Sequence, residues 1–348
     1  MEFRIDGRPV GDGHPVYIIA EVSANHGGSF ERAREMIRAA RDAGADAVKL
    51  QTYTADTMTL DSDAAPFVIR QGTIWDGRTL HDLYQEAFTP WEWQPELKKW
   101  ADSLGISLFS TPFDATAADF LEGMGVGAHK IASFEITDIP LIEYVAAKGR
   151  PMIISTGIAE EEDIREALAA CRRVGNEEIA LLKCTSSYPA PLDGMNLRMI
   201  PDLAARFGVI SGLSDHSLGA EAPVVAVALG ARIIEKHFIL DRSAGGPDAA
   251  FSLQVEEFAA MVQAVRDAEK ALGTVNYALS ESARRAREFS RSLFVAEDIP
   301  PGGELNERNI RSVRPGFGLA PKHLPEVLGR RALRHLAAGT PLRWEDLD

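Results

Sequence analysis

Two lysines stand inside otherwise apolar segments, Lys49 in AVKLQT and Lys130 in HKIASFE. Burying an ammonium without a counter-charge is costly, so a lysine in such a setting points to a site that holds an anion. Polar residues close the other apolar runs too. Glu21, Asn25 and His26 follow the first; Gln51 the second; Ser110 and Thr111 the third; Ser133 and Glu135 the fourth. Lys183, Thr185 and Ser186 end a later run, followed by Ser214, Asp215 and His216, then Glu235 and His237. Lys49 and Lys130 with Thr111, Ser133 and Ser214 supply the cations and donors that a phosphate or carboxylate needs. Glu21 and Glu135 are candidate acid or base groups, and the same carboxylates can neutralise the lysines. His216 and His237, each beside an acid on neighbouring runs, suit one divalent metal with positions left for water and substrate. Ordinary hydrogen-bonded side chains are the alternative.

These residues need elements that bring them together. Between residue 16 and about 272, eight β-branched runs alternate with stretches of helical period: VYIIAEV, AVKLQT, SLFSTP, HKIASFE, PMIIST, IALLKCTSS, VISGLSDH and RIIEKHF. Eight such units fit a closed (β/α)8 TIM barrel, whose strand C-termini carry the chemistry; a doubly wound open sheet has the same one-dimensional pattern. SFERAREMIRAARDAG reads as a helix from a Ser29 cap to Gly44. Strand alternation puts Lys49 with Gln51, Ser214 with His216 and Glu235 with His237 on common faces. Lys130 and Ser133 have opposite parity and reach one ligand only if their strand bulges or ends between them.

Four segments are expected: an N-terminal hairpin over 1–15 capping the barrel, the barrel over 16–275, a linker over 276–291 and a small domain over 292–348. In the last, DIPPGGELNERNI and HLAAGTPLRWEDL form a pseudo-repeat around SVRPGFGL, a loop suited to presenting Arg314 outward. Residues 53–90 form an oversized loop rich in Thr, Asp and aromatics, either a specificity loop or an insertion packed by its own Phe67, Trp75 and Tyr84. The 348 residues are 45% hydrophobic and carry a formal charge of -14, which supports a large core and argues against nucleic acid as a partner. No membrane span or secretory signal is visible, so the cytoplasm is the expected compartment. Cys171 and Cys184, the only cysteines, read as reduced and structural.

EVSANHGGS, KLQTYT, FSTPF, KIASFE, STG, KCTSSYP, GLSDHS and EKHF occur in that order, and together they resemble the sialic acid synthase family. The tail resembles that family's antifreeze-like (SAF) domain. The resemblance implies a barrel enzyme that joins phosphoenolpyruvate to an acetamido sugar, with a divalent metal, Mn2+ before Mg2+ or Co2+, held by His216 and His237. It matches Lys49, Thr111, Lys130, Ser133, Ser186 and Ser214 to phosphoenolpyruvate contacts, and Glu21, Gln51, Glu135, Tyr188 and Asp248 to the sugar and reacting carbons. Arg314 matches an arginine that enters a partner's barrel, which implies a domain-swapped homodimer.

Within the family the chain departs from the neuraminic acid enzymes, which show Asn where Ser186 stands and Gly where Phe134 stands. The segments from Gln51 and Gly72 are similar to the pseudaminic acid branch, implying 2,4-diacetamido-2,4,6-trideoxy-L-altrose as the sugar. A less polar wall suits a 6-deoxy sugar. A legionaminic or neuraminic acid synthase is the alternative of the same class, and a non-catalytic carbohydrate-binding protein that of another.

Overall fold

The computed structural model describes residues 1–348 apart from 71, 73 and 74, so part of the expectation placed on the segment from Gly72, that at Thr73 and Ile74, lies outside the described residues. The chain divides into two compact units, Met1–Gly273 and Thr274–Asp348.

In the first unit the β-branched runs form eight parallel strands: β3 (Tyr17–Glu21), β4 (Ala47–Thr52), β5 (Ser107–Pro112), β6 (His129–Ile131), β7 (Met152–Ser155), β8 (Ile179–Cys184), β9 (Ile210–Asp215) and β10 (Ile233–His237). β10 pairs with both β9 and β3, which closes the barrel and excludes the open sheet. The helix Phe30–Asp42 is capped by Ser29, whose side chain accepts from the Arg32 amide, and Gly44 follows its end with φ +92°. It buries Ala33, Met36, Ile37 and Ala40, one face at helical spacing, against the outside of the strands.

Ahead of the barrel, β1 (Glu2–Ile5) and β2 (Arg8–Gly11) pair as the expected hairpin through Asp6 and Gly7, both with positive φ. Its Phe3, Ile5 and Val10 pack with Tyr17, Ile19, Phe109, Ile153, Leu182 and Ile233, plugging one end of the barrel. By strand alternation the residues two further along β3, β5, β7, β8 and β10 are Glu21, Thr111, Ser155, Cys184 and Glu235, so the interior turns from apolar to polar toward the strand C-termini.

The second unit includes the helix Glu281–Ala286, β11 (Ser292–Val295) and β12 (Ile310–Val313). Its core joins Ile299, Leu305 and Ile310 to Leu336, Leu342 and Leu347, the same spacing twice. Ile299 and Leu336 exchange both backbone hydrogen bonds at 2.9 Å, so the two copies of the pseudo-repeat pair with each other. Arg314 is exposed, on the loop after β12. Among the described residues no helix is long and apolar enough to cross a membrane.

Candidate active site at the barrel mouth

Strand register decides which polar residues meet. His237 of β10 pairs with Glu21 of β3, and Glu21 with Lys49 of β4, one row across three strands. Cys184, Ser214 and Glu235 form a second row across β8, β9 and β10. The two rows border a cavity of about 520 Å3 at the strand C-termini, a size suited to a small substrate pair.

Four charges sit together there. The Lys49 ammonium lies 2.5 Å from Glu21 Oε2 and 3.9 Å from Glu235 Oε2, and donates to Thr111 Oγ1 at 3.3 Å. Lys130 donates to Glu235 Oε1 at 3.2 Å, and the Ser214 hydroxyl donates to the same oxygen at 3.0 Å. Burial raises the Glu21 carboxyl to about 7 against the pull of Lys49, with Glu235 adding to the rise. Burial also works to raise Glu235, but Lys130 and Lys49 outweigh it and keep that carboxylate low. Burial lowers Lys130, a loss Glu235 only partly offsets, while the two carboxylates overcome burial at Lys49 and raise it. Two buried cations face two carboxylates here, and a phosphate or carboxylate entering the cavity would compete for the same ammonium groups.

β6 ends at Ile131, and Ser133–Glu135 continue as a turn of 3-10 helix, so Lys130 and Ser133 both line the cavity despite their opposite parity. The Gly157 amide donates to Ser133 Oγ at 2.9 Å. A Cβ at Gly157 would fall 2.2 Å from Ser186 Oγ and 2.6 Å from Ser133 Oγ, so only glycine lets these hydroxyls converge. Glu135 borders the same space, and burial raises its carboxyl to about 7.

Cys171 is buried in the core as expected, but Cys184 lines the cavity, its Sγ 3.9 Å from His216 Nδ1. The reading of Cys184 as structural fails because its strand position shares parity with Leu182, which faces the interior. Burial would raise this thiol, but the His216 hydrogen bond, with Ser133 and Lys130 adding to it, brings it down to about 7.

The wall toward the long loop is aromatic. The Tyr188 ring lies tilted against its neighbours, 4.5 Å from His216, 5.0 Å from Phe251 and 5.8 Å from Trp75 between ring centres, and the Trp75 indole donates to the Pro247 carbonyl at 3.1 Å. Met58, Val68, Ile69, Leu80 and Tyr84 of the loop line the cavity, and Phe134 stands 58% exposed at its edge. The 53–90 segment is thus a pocket wall rather than an insertion packed only on itself.

His216 and His237 lie 5.2 Å apart between ring centres. His216 Nδ1 faces the Thr185 carbonyl at 3.1 Å, which turns Nε2 the other way, the usual orientation of a ligating imidazole. His237 Nδ1 is buried with no hydrogen-bond partner among the described residues, and burial holds this ring well below its ordinary pKa, in the neutral form a metal requires. The pair fits a divalent ion. Among the described residues no group of three or more His, Cys, Asp or Glu is arranged to hold one, so the two imidazoles would be joined by water or substrate.

Several strand-end residues go elsewhere. His26 packs on Trp93 with Thr89 in hydrogen-bond reach, Ser110 meets Thr52, the Lys183 ammonium donates to the Cys184 carbonyl, and Asp215 forms a fully buried pair with Lys236 at 2.5 Å. Gln51, Ser186, Tyr188 and Asp248 line the cavity; Thr111 meets it only through Lys49, and Arg314 belongs to the other unit. Sequence reasoning noted Glu235 and gave it no role, yet it anchors both lysines; its interior parity with His237 was the available signal. Ser23 was not singled out at all, and nothing in its local sequence marks it.

A model of the NeuB family matches residues 36–277, and one of the SAF domain matches residues 290–348. The chain is 48% identical over 331 residues to a pseudaminic acid synthase of Campylobacter jejuni, covering 95% of this chain and 96% of that one. It is 36% identical over 351 residues to an N,N'-diacetyllegionaminic acid synthase of Legionella pneumophila, covering 99% and 98%. Among solved structures, an N-acetylneuraminic acid synthetase from Leptospira borgpetersenii in complex with citrate superposes with a TM-score of 0.73 at 33% identity, covering 82% of this chain and 94% of that one. The chain belongs to the NeuB family and carries a SAF domain at its C-terminal end.

Proposed function

We propose that this protein condenses phosphoenolpyruvate with 2,4-diacetamido-2,4,6-trideoxy-L-altrose to give pseudaminic acid and phosphate. One arrangement carries the reading: two buried lysines and two imidazoles border a single cavity whose other wall is apolar and aromatic. The lysines suit the two anionic groups of phosphoenolpyruvate, and Trp75, Phe134 and Phe251 suit a sugar with a methyl in place of a hydroxymethyl. The 48% identity to a pseudaminic acid synthase, against 36% to a legionaminic one, favours the same sugar.

In this mechanism Lys49 and Lys130, with Ser133, Ser186 and Ser214, hold the phosphate and carboxylate so that C3 of the enol faces the sugar aldehyde. Gln51, Tyr188 and Asp248 orient the open-chain sugar. His216 and His237 would hold a divalent ion, manganese in this reading, whose chemistry there would be Lewis-acid polarisation of the aldehyde. C3 attacks the aldehyde carbon, the former aldehyde oxygen takes up a proton to become a hydroxyl, and the positive charge that develops at C2 is stabilised by the nearby carboxylates. Water adds at C2 and loses its proton to a carboxylate, for which Glu21 and Glu135 are the candidates. The C2–O bond then breaks, phosphate leaves and the 2-keto acid remains. Arg314, in the same proposal, enters the barrel of a second copy in a domain-swapped homodimer; its exposure on the loop after β12 is compatible with that role.

Phosphate release with manganese, phosphoenolpyruvate and each sugar in turn tests the reading. The expected result is fastest release with the diacetamido-trideoxy-altrose. Faster release with N-acetylmannosamine or the legionaminic precursor would reject it.

A further inference from the structure

Between β3 and the helix Phe30–Asp42, the turn Ser23–His26 makes polar links that the reaction scheme leaves unused. Among the described residues only Asp6, Ser23 and Asn196 are non-glycines with positive φ, and of these only Ser23, at +46°, lines the cavity. A non-glycine held in that region persists only where its surroundings enforce it, and such residues gather at functional sites. The surroundings here are specific. The Ser23 hydroxyl donates to Asp248 Oδ2, and Ser23 Oγ accepts from Gln51 Nε2 at 2.9 Å. Gln51 Nε2 also donates to Glu21 Oε1 at 3.1 Å, and Glu21 meets Lys49. One chain of contacts therefore runs from Asp248 through Ser23 and Gln51 to Glu21 and Lys49. Next to it, Asn25 Nδ2 donates to Ser252 Oγ at 2.8 Å and to the Phe238 carbonyl at 3.0 Å, fixing the far side of the same loop.

We propose that Ser23 is a positioning residue: its hydroxyl ties the loop that follows β10, through Asp248, to the Gln51–Glu21–Lys49 row, and so sets the sugar side of the pocket in register with the anion side. The assignment of Asp248 to the sugar rests on the proposed function; the tether does not. Ser23 is 3% exposed, and the Ala24 amide reaches Asp248 Oδ2 at a long 3.4 Å, so loss of the hydroxyl leaves this carboxylate more weakly held. Gln51 Nε2 serves two acceptors, Glu21 Oε1 and Ser23 Oγ, and so couples them.

Two variants separate the hydroxyl from the backbone. Ser23→Ala removes the hydroxyl, and Ser23→Gly removes it while relieving the positive φ. Both should speed amide hydrogen exchange across residues 241–253 by about tenfold, as local tethers do when cut. Both should raise KM for the sugar by about tenfold and leave KM for phosphoenolpyruvate within about twofold. Asp248→Asn should produce the same exchange pattern, and adding it to Ser23→Ala should change little further. Exchange unchanged in both serine variants would overturn the tether. Faster exchange with an unaltered sugar KM, or with both KM values raised equally, would overturn the positioning role. Should the wild type turn over none of the three sugars, the functional reading fails, and the exchange comparison with Asp248→Asn still decides the tether.

Discussion

At the N-terminal end of the barrel, Phe3, Ile5 and Val10 fill the interior against Tyr17, Ile19 and Phe109; two residues beyond Ile19, Ala47, Ala128 and Ile233 of that layer, the same strands carry Glu21, Lys49, Lys130 and Glu235 around a cavity. The lower layer buries apolar surface and leaves nothing to react. The upper layer buries four ionisable groups, which packed apolar residues would replace at no loss of stability, and often at a gain. The floor is therefore where the fold is held, and the mouth is where stability is given up for binding.

Lys130→Met should break this contrast most sharply. Activity is expected to fall by at least about a thousandfold, because a fixed cation facing a dry anion site is lost. The melting temperature should hold or rise in the double variant Lys130→Met, Glu235→Met, which removes both members of this buried pair and strands neither charge. Phosphate-release kinetics on the single variant and thermal melts on the double would check it, and a large loss of stability in the double variant would deny the division. Gly157→Ala pushes a Cβ into the Ser133 and Ser186 hydroxyls, and weaker phosphoenolpyruvate binding by about 10- to 100-fold is expected, read by calorimetry. Ile5→Ala is the converse. It should cost about 2–5 kcal/mol in denaturant unfolding and leave both KM values unchanged.

The smallest effect concerns pH. Glu135 titrates near 7 when folded against 4.5 when unburied, because burial disfavours its charge more than the facing Lys130 restores it, with Asp138 adding to the rise and Tyr84 alongside. The folded state therefore binds the extra proton between those values. Its stabilising contribution is complete below pH 4.5 and is lost as pH rises through 7. Glu135→Gln should cancel that slope, gaining stability on the wild type by about 2 kcal/mol between pH 5 and 8 in denaturant titrations.

The eight strands were legible because buried parallel strands need β-branched runs at a regular interval, and all eight runs contain the strands observed. Alternation then named the interior partners of Lys49, Ser214 and His237 correctly. Cys184 was read from the cysteine count alone, although its parity with Leu182 puts it on the interior face. Ser23 escaped for a different reason, since its partners, Gln51 and Asp248, lie 28 and 225 residues away.

What the sequence by itself determined is the set of periodic runs, the hairpin turn, the paired copies in the tail and the polar residues that end each strand. All of these follow from local sterics and from the two-residue period of a strand. Closure of the sheet, the row that aligns His237 with Glu21 and Lys49, and the end of β6 that brings Ser133 beside Lys130 were decided only by the tertiary structure. Each depends on which strand lies beside which and at what offset, and those pairings join residues far apart in the chain, where no local preference reaches.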